Sequence, residues 1–263
     1  MPFLINKKLG ETPLKCLERF CAERAAVGKV AFADARSMPF TYAGRLDPMA
    51  EGLLVVLAGE ECKQKEKYLG LDKVYETEFL LGVETDTHDV LGMVQDSALA
   101  ATSQQSSNTS LEQFETVLRT FLGKRIQVYP AYSSKPHKGR PLFELARAGE
   151  LPTEGEMPSR EVEIYQIEVL GERIVTADEL EQQILERIAL VKGDFRQPEI
   201  AVRWRQFFQT NHDRNFQVLS LRIHCSSGTY IRSLAQEIGK RLGTGAIAFS
   251  IKRTQVGDFL LSA

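Results

Sequence analysis

The residues with the clearest potential for chemistry centre on Asp47, in the stretch AGRLDPMAEG at residues 43–52. An Asp-Pro pair usually begins a helix, with the aspartate as its cap. Here Gly52 and the apolar run LLVVLA follow too closely for a helix, and that run predicts a central β-strand. Asp47 is therefore predicted to lie at the tip of a loop packed against a sheet. A carboxylate in such a place needs a neighbouring cation to stay ionised, and it can then serve as a nucleophile.

Two arginines are candidates for this cation, and one tyrosine could complete the group. Arg45 is close to Asp47 in sequence, whereas Arg232 lies in the first turn of a predicted helix that follows an apolar strand. Tyr75 opens another predicted strand, where a tyrosine is ordinarily a core or edge residue but can also stack on an unstacked base. Taken singly, each residue has an ordinary structural explanation. Together they suggest a nucleophile, a charge partner and a flat wall for a base.

The elements that must position these residues mix strands and helices without a regular βαβ alternation, which indicates the α+β fold class. A polar segment at residues 97–110 predicts a flexible connection, and the helix after it is expected to stop at Gly123. Capping signals and periodicity place helices after Thr12, Ser110 and Thr176 and at residues 231–242, and strands at residues 4–5, 53–58, 75–81, 164–170 and 219–225.

The net charge of −2 hides an uneven distribution along the 263 residues. Residues 124–147 hold six Lys or Arg against one acid, and residues 232–253 hold five against one. Residues 150–199 hold thirteen acids against five Lys or Arg. A single charged run is usually solvated surface, but two basic runs in a neutral total can form a face that binds a phosphate backbone.

Composition disfavours several other protein classes. No apolar run approaches the roughly 20 residues that span a bilayer, and the N-terminus has no signal-peptide core. The four histidines show no metal-binding spacing, and the four cysteines form no CxxC pair. The cysteines are therefore expected to be reduced thiols of a cytoplasmic protein, and no metal site is expected.

Five blocks of the sequence resemble, in the same order, the motifs of the tRNA pseudouridine-55 synthase (TruB) family. The N-terminal LINKKLGETPLKCLERF is similar as well, and the resemblance covers about two thirds of the chain. The five blocks are AGRLDPMAEGLLVVLAGEECK (43–63), KVYETEFLLGVETDTHD (73–89), QVYPAYSSKPHKGRPLFELARAG (127–149), HCSSGTYIRSLAQEIGKRLGTGA (224–246) and IKR (251–253).

This resemblance implies an α+β, pseudouridine synthase-like fold, with a mixed and mostly antiparallel sheet flanked by helices and loops. It also implies a single catalytic domain over residues 1–263. Residues 171–217 look like a partly helical insertion within that domain. No C-terminal RNA-binding PUA domain, which many members carry, is expected.

By the same resemblance, Asp47 is the catalytic aspartate, Tyr75 stacks on the target base and Arg232 pairs with the aspartate. The implied reaction converts uridine to pseudouridine in tRNA, at position 55 of the T-loop, and needs no cofactor or metal. The implied partner is the tRNA T-arm, with no membrane partner, and a monomer is expected. The residues implied to bind substrate are Tyr42, Arg45, Ile251, Lys63, Lys135, Lys138 and Arg140.

The sequence departs from the family pattern at several positions. Tyr42 stands where the family usually has a histidine, and Arg45 stands where it has a small residue. Lys8 replaces the usual proline. The lysine expected in the loop at residues 132–138 is Pro136, with Lys135 beside it.

Other functions are compatible with parts of this pattern. A noncatalytic tRNA-binding or tRNA-folding protein could keep the fold, and a pseudouridine synthase could act on another RNA target. A carboxylate glycosidase would need a second acid paired with Asp47, for which Glu51 is the only near candidate.

Overall fold

The structure, a computed structural model, describes residues 2–26, 39–95 and 109–261. Its main sheet consists of β1 (Phe3–Lys7), β2 (Phe40–Ala43), β3 (Ala50–Ala58), β4 (Lys73–Leu81), β5 (Gly123–Val128), β8 (Ser159–Thr176), β9 (Asn215–Cys225), β10 (Ala246–Val256) and β11 (Phe259–Leu260). A separate small hairpin is formed by β6 (Pro136–His137) and β7 (Arg140–Pro141).

Across the described residues the main sheet has the strand order β1-β3-β10-β4-β9-β8-β5, with β2 paired to β3 and β11 paired to β10. All these neighbours are antiparallel except β3 and β10, which run parallel. The predicted α+β class with a mixed, mostly antiparallel sheet is therefore confirmed. The parallel pair matters most for function, because it places the N-terminal end of β3 beside a strand near the end of the chain.

Helices cover both faces of the central strands. They are α1 (Pro13–Ala26), α2 (Lys65–Leu69), α3 (Leu111–Arg119), α4 (Leu142–Ala148), α5 (Ala177–Leu190), α6 (Gln197–Thr210) and α7 (Ile231–Leu242). Short 3-10 turns occupy Gly59–Gln64 and Glu154–Glu156. In the part of the chain that the structure describes, no helix is long and apolar enough to cross a membrane.

The pleat of the strands divides their apolar side chains between two cores. One core lies between the sheet and the pair α5 and α6, with Leu80, Val218 and Phe249 from the strands packed around Trp204. The other core lies on the opposite face, where α3 and α7 pack against residues such as Phe79. Tyr75, Leu46 and Ile251 belong to this second core, so the candidate chemistry lies on the α7 side of the sheet.

Local capping signals fix several helix ends where the sequence predicts them. The Ser110 hydroxyl accepts the Gln113 amide at 3.3 Å, and the Gln113 side chain accepts the Ser110 amide at 3.0 Å. Thr176 accepts the Glu179 amide at 3.3 Å and caps α5. Gly243 ends α7 with a left-handed φ of 73°, a conformation that glycine adopts without steric cost.

The helix after Ser110 is shorter than predicted. It ends at Arg119, and the Thr120 hydroxyl donates to the carbonyl of Val117 at 2.7 Å as the chain turns out of the helix. Gly123, predicted as the helix stop, is instead the first residue of β5 with φ of 86°. Phe121 is still buried in the core, which explains why its apolar spacing resembled a continued helix.

Most of the connection predicted at residues 97–110 lies outside the described residues. Residues 171–217 form the end of β8, all of α5 and α6, and the start of β9. Their origin as an insertion in a single catalytic domain stays a prediction.

Candidate active site

Asp47 lies in a turn between β2 and β3, as predicted, and not in a helix. The Ala50 amide donates to the Asp47 carbonyl at 3.0 Å, and the Gly10 amide donates to the Pro48 carbonyl at 2.9 Å. Leu46 is buried beneath the turn, whereas 39% of the Asp47 side chain is exposed. The turn therefore holds the carboxylate at the surface of the core, open to a ligand.

A buried arginine from β10 holds the backbone of this loop. Arg253 is 1% exposed, and its Nε donates to the carbonyl of Leu53 at 2.8 Å. Its two terminal nitrogens donate to the carbonyls of Gly44 at 3.1 Å and Arg45 at 3.4 Å. Three carbonyls on both sides of Asp47 are thus fixed by one guanidinium.

Lys7 holds the same loop from the side of β1. Its buried ammonium donates to the carbonyl of Ala50 at 2.5 Å. Burial lowers the pKa of Lys7 to about 8, although the nearby Asp47 carboxylate opposes that shift. Gly52 completes the support, because its φ is 101° and a Cβ there would lie 2.3 Å from the Arg253 carbonyl oxygen. Only glycine lets β3 approach β10 this closely.

Arg232 forms the ion pair with Asp47. Its Nε lies 2.7 Å from Asp47 Oδ2, while its terminal nitrogens donate to the carbonyls of Thr87 at 2.5 Å and Tyr132 at 3.2 Å. Only 3% of the arginine side chain is exposed, and all three guanidinium nitrogens donate to acceptors within the protein. Among the described ion pairs, Asp47 contacts Arg232 and not Arg45.

A second carboxylate lies on the inner side of Arg232. Asp89 Oδ2 is 3.5 Å from the arginine Nε, and Asp89 Oδ1 accepts the Thr87 hydroxyl at 2.7 Å and the Leu91 amide at 2.9 Å. Burial raises the pKa of Asp89 to about 6, against the opposing effect of Arg232. Burial also disfavours the charged form of Arg232, but the two aspartates outweigh it and raise its pKa.

The Asp47 carboxylate opens into a cleft of about 680 Å³. Tyr75 and Ile251 line it from the sheet, and burial raises the pKa of the Tyr75 hydroxyl. Tyr230 lines the opposite side, with its ring centre 5.7 Å from that of Tyr129. Basic side chains also line the cleft, namely Arg45, Lys65, Lys73, Lys135 and Arg160. The cleft therefore combines aromatic walls with positive charge, as a pocket for an everted nucleotide requires.

The predicted substrate-binding residues divide into two groups. Tyr42, Arg45, Lys135 and Ile251 line the cleft together with Asp47, Tyr75 and Arg232. The remaining three lie outside it. Lys63 is exposed and pairs with Glu60 at 2.6 Å, whereas Lys138 and Arg140 line a neighbouring cavity of about 380 Å³.

The predicted basic face is smaller than the sequence count suggested. Of the five cations at residues 232–253, Arg232 and Arg253 are buried in the interior. Their charges fix the loop and the carboxylates, so they add nothing to an outer surface. Across the described residues no group of three or more His, Cys, Asp or Glu could hold a metal ion.

A family model described as TruB family pseudouridylate synthase (N terminal domain) matches residues 39–184, which are 146 of the 263 residues. This chain belongs to the TruB family. The match includes Asp47, Tyr75 and Asp89 and ends before Arg232.

Curated relatives support the same membership. The tRNA pseudouridine synthase B of Francisella tularensis subsp. tularensis (strain WY96-3418) is 34% identical over 221 residues, covering 84% of this chain and 57% of the relative. The protein of that name from Ralstonia pickettii (strain 12J) is 32% identical over 220 residues, covering 84% of this chain and 54% of the relative. The chain thus spans little more than half the length of these TruB family relatives.

A solved structure of a Cbf5-Nop10-Gar1 complex has a similar fold. Its chain aligns with a TM-score of 0.53 and 19% identity, covering 98% of this chain and 49% of that chain. At this identity the similarity supports the fold of the TruB family member and nothing more specific.

Sequence reasoning missed four residues that the structure adds to the site of this TruB family member. Asp89 and Tyr230 lie inside blocks that resemble family motifs, and Tyr230 is two residues before Arg232, so block membership was the available signal. Arg253 lies in the short IKR block, which drew attention only to Ile251. Lys7 was noted only for the residue that follows it. Their roles depend on burial and on distant contacts that a linear motif does not display.

Proposed function

We propose that this chain converts uridine to pseudouridine in tRNA, at position 55 of the T-loop. The observation that carries the proposal is the Asp47 carboxylate, which is open to an aromatic-walled cleft and paired on its inner side with the buried Arg232. Membership of the TruB family supports the reaction, and relatives named tRNA pseudouridine synthase B support the RNA class.

The reaction is an isomerisation within one nucleotide. The N1–C1′ bond breaks, the base turns, and a C5–C1′ bond forms, while C5 loses its hydrogen and N1 gains one. No electrons are gained or lost overall, so the chemistry calls for no redox partner. An ionised carboxylate such as Asp47 would act as the nucleophile or stabilise positive character at C1′, as in glycoside cleavage.

The cleft would also compensate for removing the uridine from its stack. Extruding a base costs a few kcal/mol. Stacking on an aromatic side chain such as Tyr75 returns about 1–3 kcal/mol, and Ile251 adds apolar contact in the same cleft. The cleft cations, Lys135 among them, would bind the flanking phosphates.

Two narrower statements stay predictions. They are the monomeric state and the cytoplasmic location.

We expect the protein to form pseudouridine in a T-arm stem-loop whose only uridine in the loop is at position 55. The direct measurement is pseudouridine content after incubation, by mass spectrometry of a digest after pseudouridine-specific derivatisation. The matched control is the same stem-loop with cytidine at that position, which should remain unmodified. RNA that binds tightly yet stays unmodified would favour the noncatalytic tRNA-binding alternative instead.

Neutralising the predicted RNA-binding cations should weaken binding without removing the chemistry. We expect the triple substitution of Lys135→Gln, Lys138→Gln and Arg140→Gln to raise the Kd for the T-arm. Each lost phosphate contact lowers the salt slope, log Kd against log salt, by about 1. Binding isotherms at several salt concentrations provide the measurement, with the exposed Lys15→Gln as the control. Equal slopes for the triple variant and the parent would refute a phosphate-binding role for these residues.

A further inference from the structure

The connection between α5 and α6 contacts two loops at the candidate active site. Arg196, the residue before α6, donates from Nη1 to Asp86 Oδ2 at 2.8 Å. Its guanidinium carbon also lies 4.5 Å from the centre of the Tyr132 ring, within the range of a cation–π contact. One side chain from the helical pair therefore touches both the loop after β4 and the loop after β5.

These two loops supply both carbonyls that bind the terminal nitrogens of Arg232. One acceptor is Thr87, the residue that follows Asp86, and the other is Tyr132 itself. Arg196 thus connects the two loops whose carbonyls accept from Arg232, and it does so through side chains other than the accepting carbonyls. It does not line the described cleft, so a direct contact with the substrate is not expected.

The loop around Asp86 is ordered enough to transmit this contact. Asp86 Oδ1 accepts the Met93 amide at 2.8 Å, and the Asp86 amide donates to the Met93 carbonyl at 3.1 Å. From α6, the indole nitrogen of Trp204 donates to the Val90 carbonyl at 3.1 Å. The helical pair therefore holds this loop at more than one point, and Asp89 lies between them.

Backbone geometry at this junction is unusual. Among the described residues, three non-glycine residues have positive φ, and two of them lie here, His88 at 63° and Arg196 at 62°. Such conformations cost free energy and persist where surrounding contacts enforce them, often near functional sites. The ion pair to Asp86 and the stacking on Tyr132 are the contacts that favour this backbone at Arg196.

We propose that Arg196 is a positioning residue, which sets the orientation of the Arg232 guanidinium toward Asp47 by joining the loops of Thr87 and Tyr132. This inference rests on the proposed function for its catalytic consequence. It also assigns a role to the helices at residues 177–210, because they would support the site from outside the cleft.

The test compares Arg196→Ala with Arg196→Lys and with a matched control. Arg222→Ala removes a different arginine, which has two acidic partners, Glu76 at 3.1 Å and Glu168 at 2.8 Å. Glu76 follows Tyr75 in β4, and successive side chains of a strand point to opposite faces of the sheet. The Arg222 control therefore lies on the face opposite to the cleft. Two quantities are measured for each variant, namely the single-turnover rate on T-arm RNA and amide hydrogen exchange across the protein.

We expect Arg196→Ala to lower the single-turnover rate by about tenfold to a hundredfold, the scale of a slightly misplaced catalytic group, while the RNA Kd stays unchanged. Amide exchange should rise at residues 85–94 and 129–133 and next to position 196 itself, and nowhere else. Arg196→Lys should give an intermediate rate, since lysine keeps the charge but loses the planar stacking. Arg222→Ala should match the parent in both measurements.

Unchanged exchange in both loops on Arg196→Ala would overturn the proposal, as would a lower RNA affinity with an unchanged rate. The exchange measurement needs no RNA, so it decides the positioning contact even if the parent forms no pseudouridine. A parent protein that forms no pseudouridine would refute the proposed function and would leave the positioning role of Arg196 to be decided by hydrogen exchange.

Discussion

Replacing Asp47 with asparagine is expected to abolish pseudouridine formation and to leave T-arm binding largely intact. Asparagine has nearly the same shape but carries no charge and is a poor nucleophile. We expect a loss of about 10⁴-fold or more in single-turnover rate, the scale found when the nucleophile or its partner in a catalytic group is removed. The measurement is pseudouridine yield over time at saturating enzyme.

The fold should tolerate this change. Asp47 is 39% exposed, and Arg232 retains Asp89 and two backbone carbonyls as partners. The melting temperature of the Asp47→Asn variant should therefore stay close to that of the parent.

Glu51→Gln is the matched control, because it neutralises the nearest acid along the chain. We expect that variant to retain full activity, and a requirement for Glu51 equal to that for Asp47 would favour the two-carboxylate glycosidase. Full activity of Asp47→Asn would refute the catalytic role.

Replacing Arg232 with methionine should remove activity and also destabilise the protein. The substitution leaves the buried Asp89 carboxylate without its cation, beside the Asp47 charge. Removing one partner of a buried ion pair costs about 3–5 kcal/mol in the free energy of unfolding. Urea unfolding at neutral pH measures the loss of free energy of unfolding, and the pseudouridine assay measures the loss of activity.

The destabilisation by Arg232→Met should depend on pH. In the parent, burial already raises the pKa of Asp89 to about 6, above its unfolded value. Between the ordinary pKa of 3.8 and the folded pKa of about 6, the folded state therefore binds more protons than the unfolded state. The free energy of unfolding falls as the pH rises through that window. Without Arg232 the pKa of Asp89 rises further, so the deficit relative to the parent should shrink as the pH is lowered toward 5.

A double variant separates stability from catalysis. Arg232→Met combined with Asp89→Asn should recover much of the lost free energy of unfolding, because no buried charge is left unpaired. Activity should not recover, since Asp47 still lacks its partner. A double variant as unstable as Arg232→Met would show that Asp89 is not the cause of the deficit.

The features that could be predicted from the sequence have local signals. The loop at Asp47 followed from Asp-Pro and Gly52 before an apolar run, and the start of α3 followed from the capping box of Ser110 and Gln113. Two arginines were candidate partners of Asp47, namely Arg45, which is close in sequence, and Arg232, which opens a predicted helix. Resemblance to the TruB family favoured Arg232. Each of these inferences uses residues that are neighbours along the chain or that belong to a known block.

The features that could not be predicted are defined by contacts between distant segments. Asp89 lies 143 positions before Arg232, and only the folded structure reveals that it is buried beside that arginine. Arg196 meets Asp86 across 110 positions, and no local pattern distinguishes it from other charged residues. The basic run at residues 232–253 was overestimated for the same reason, because composition does not tell buried cations from exposed ones.

The guanidinium of Arg253 has a consequence for synthesis on the ribosome. It bonds to carbonyls 200 to 209 positions earlier in the chain, so the turn that carries Asp47 lacks this support until β10 has emerged from the exit tunnel. Contacts of such sequence separation form late and slow the folding of a domain. A nascent polypeptide interrupted before that strand would present its aspartate on an unsupported turn, so the loop of Asp47 takes up its final geometry only after β10 has been synthesised.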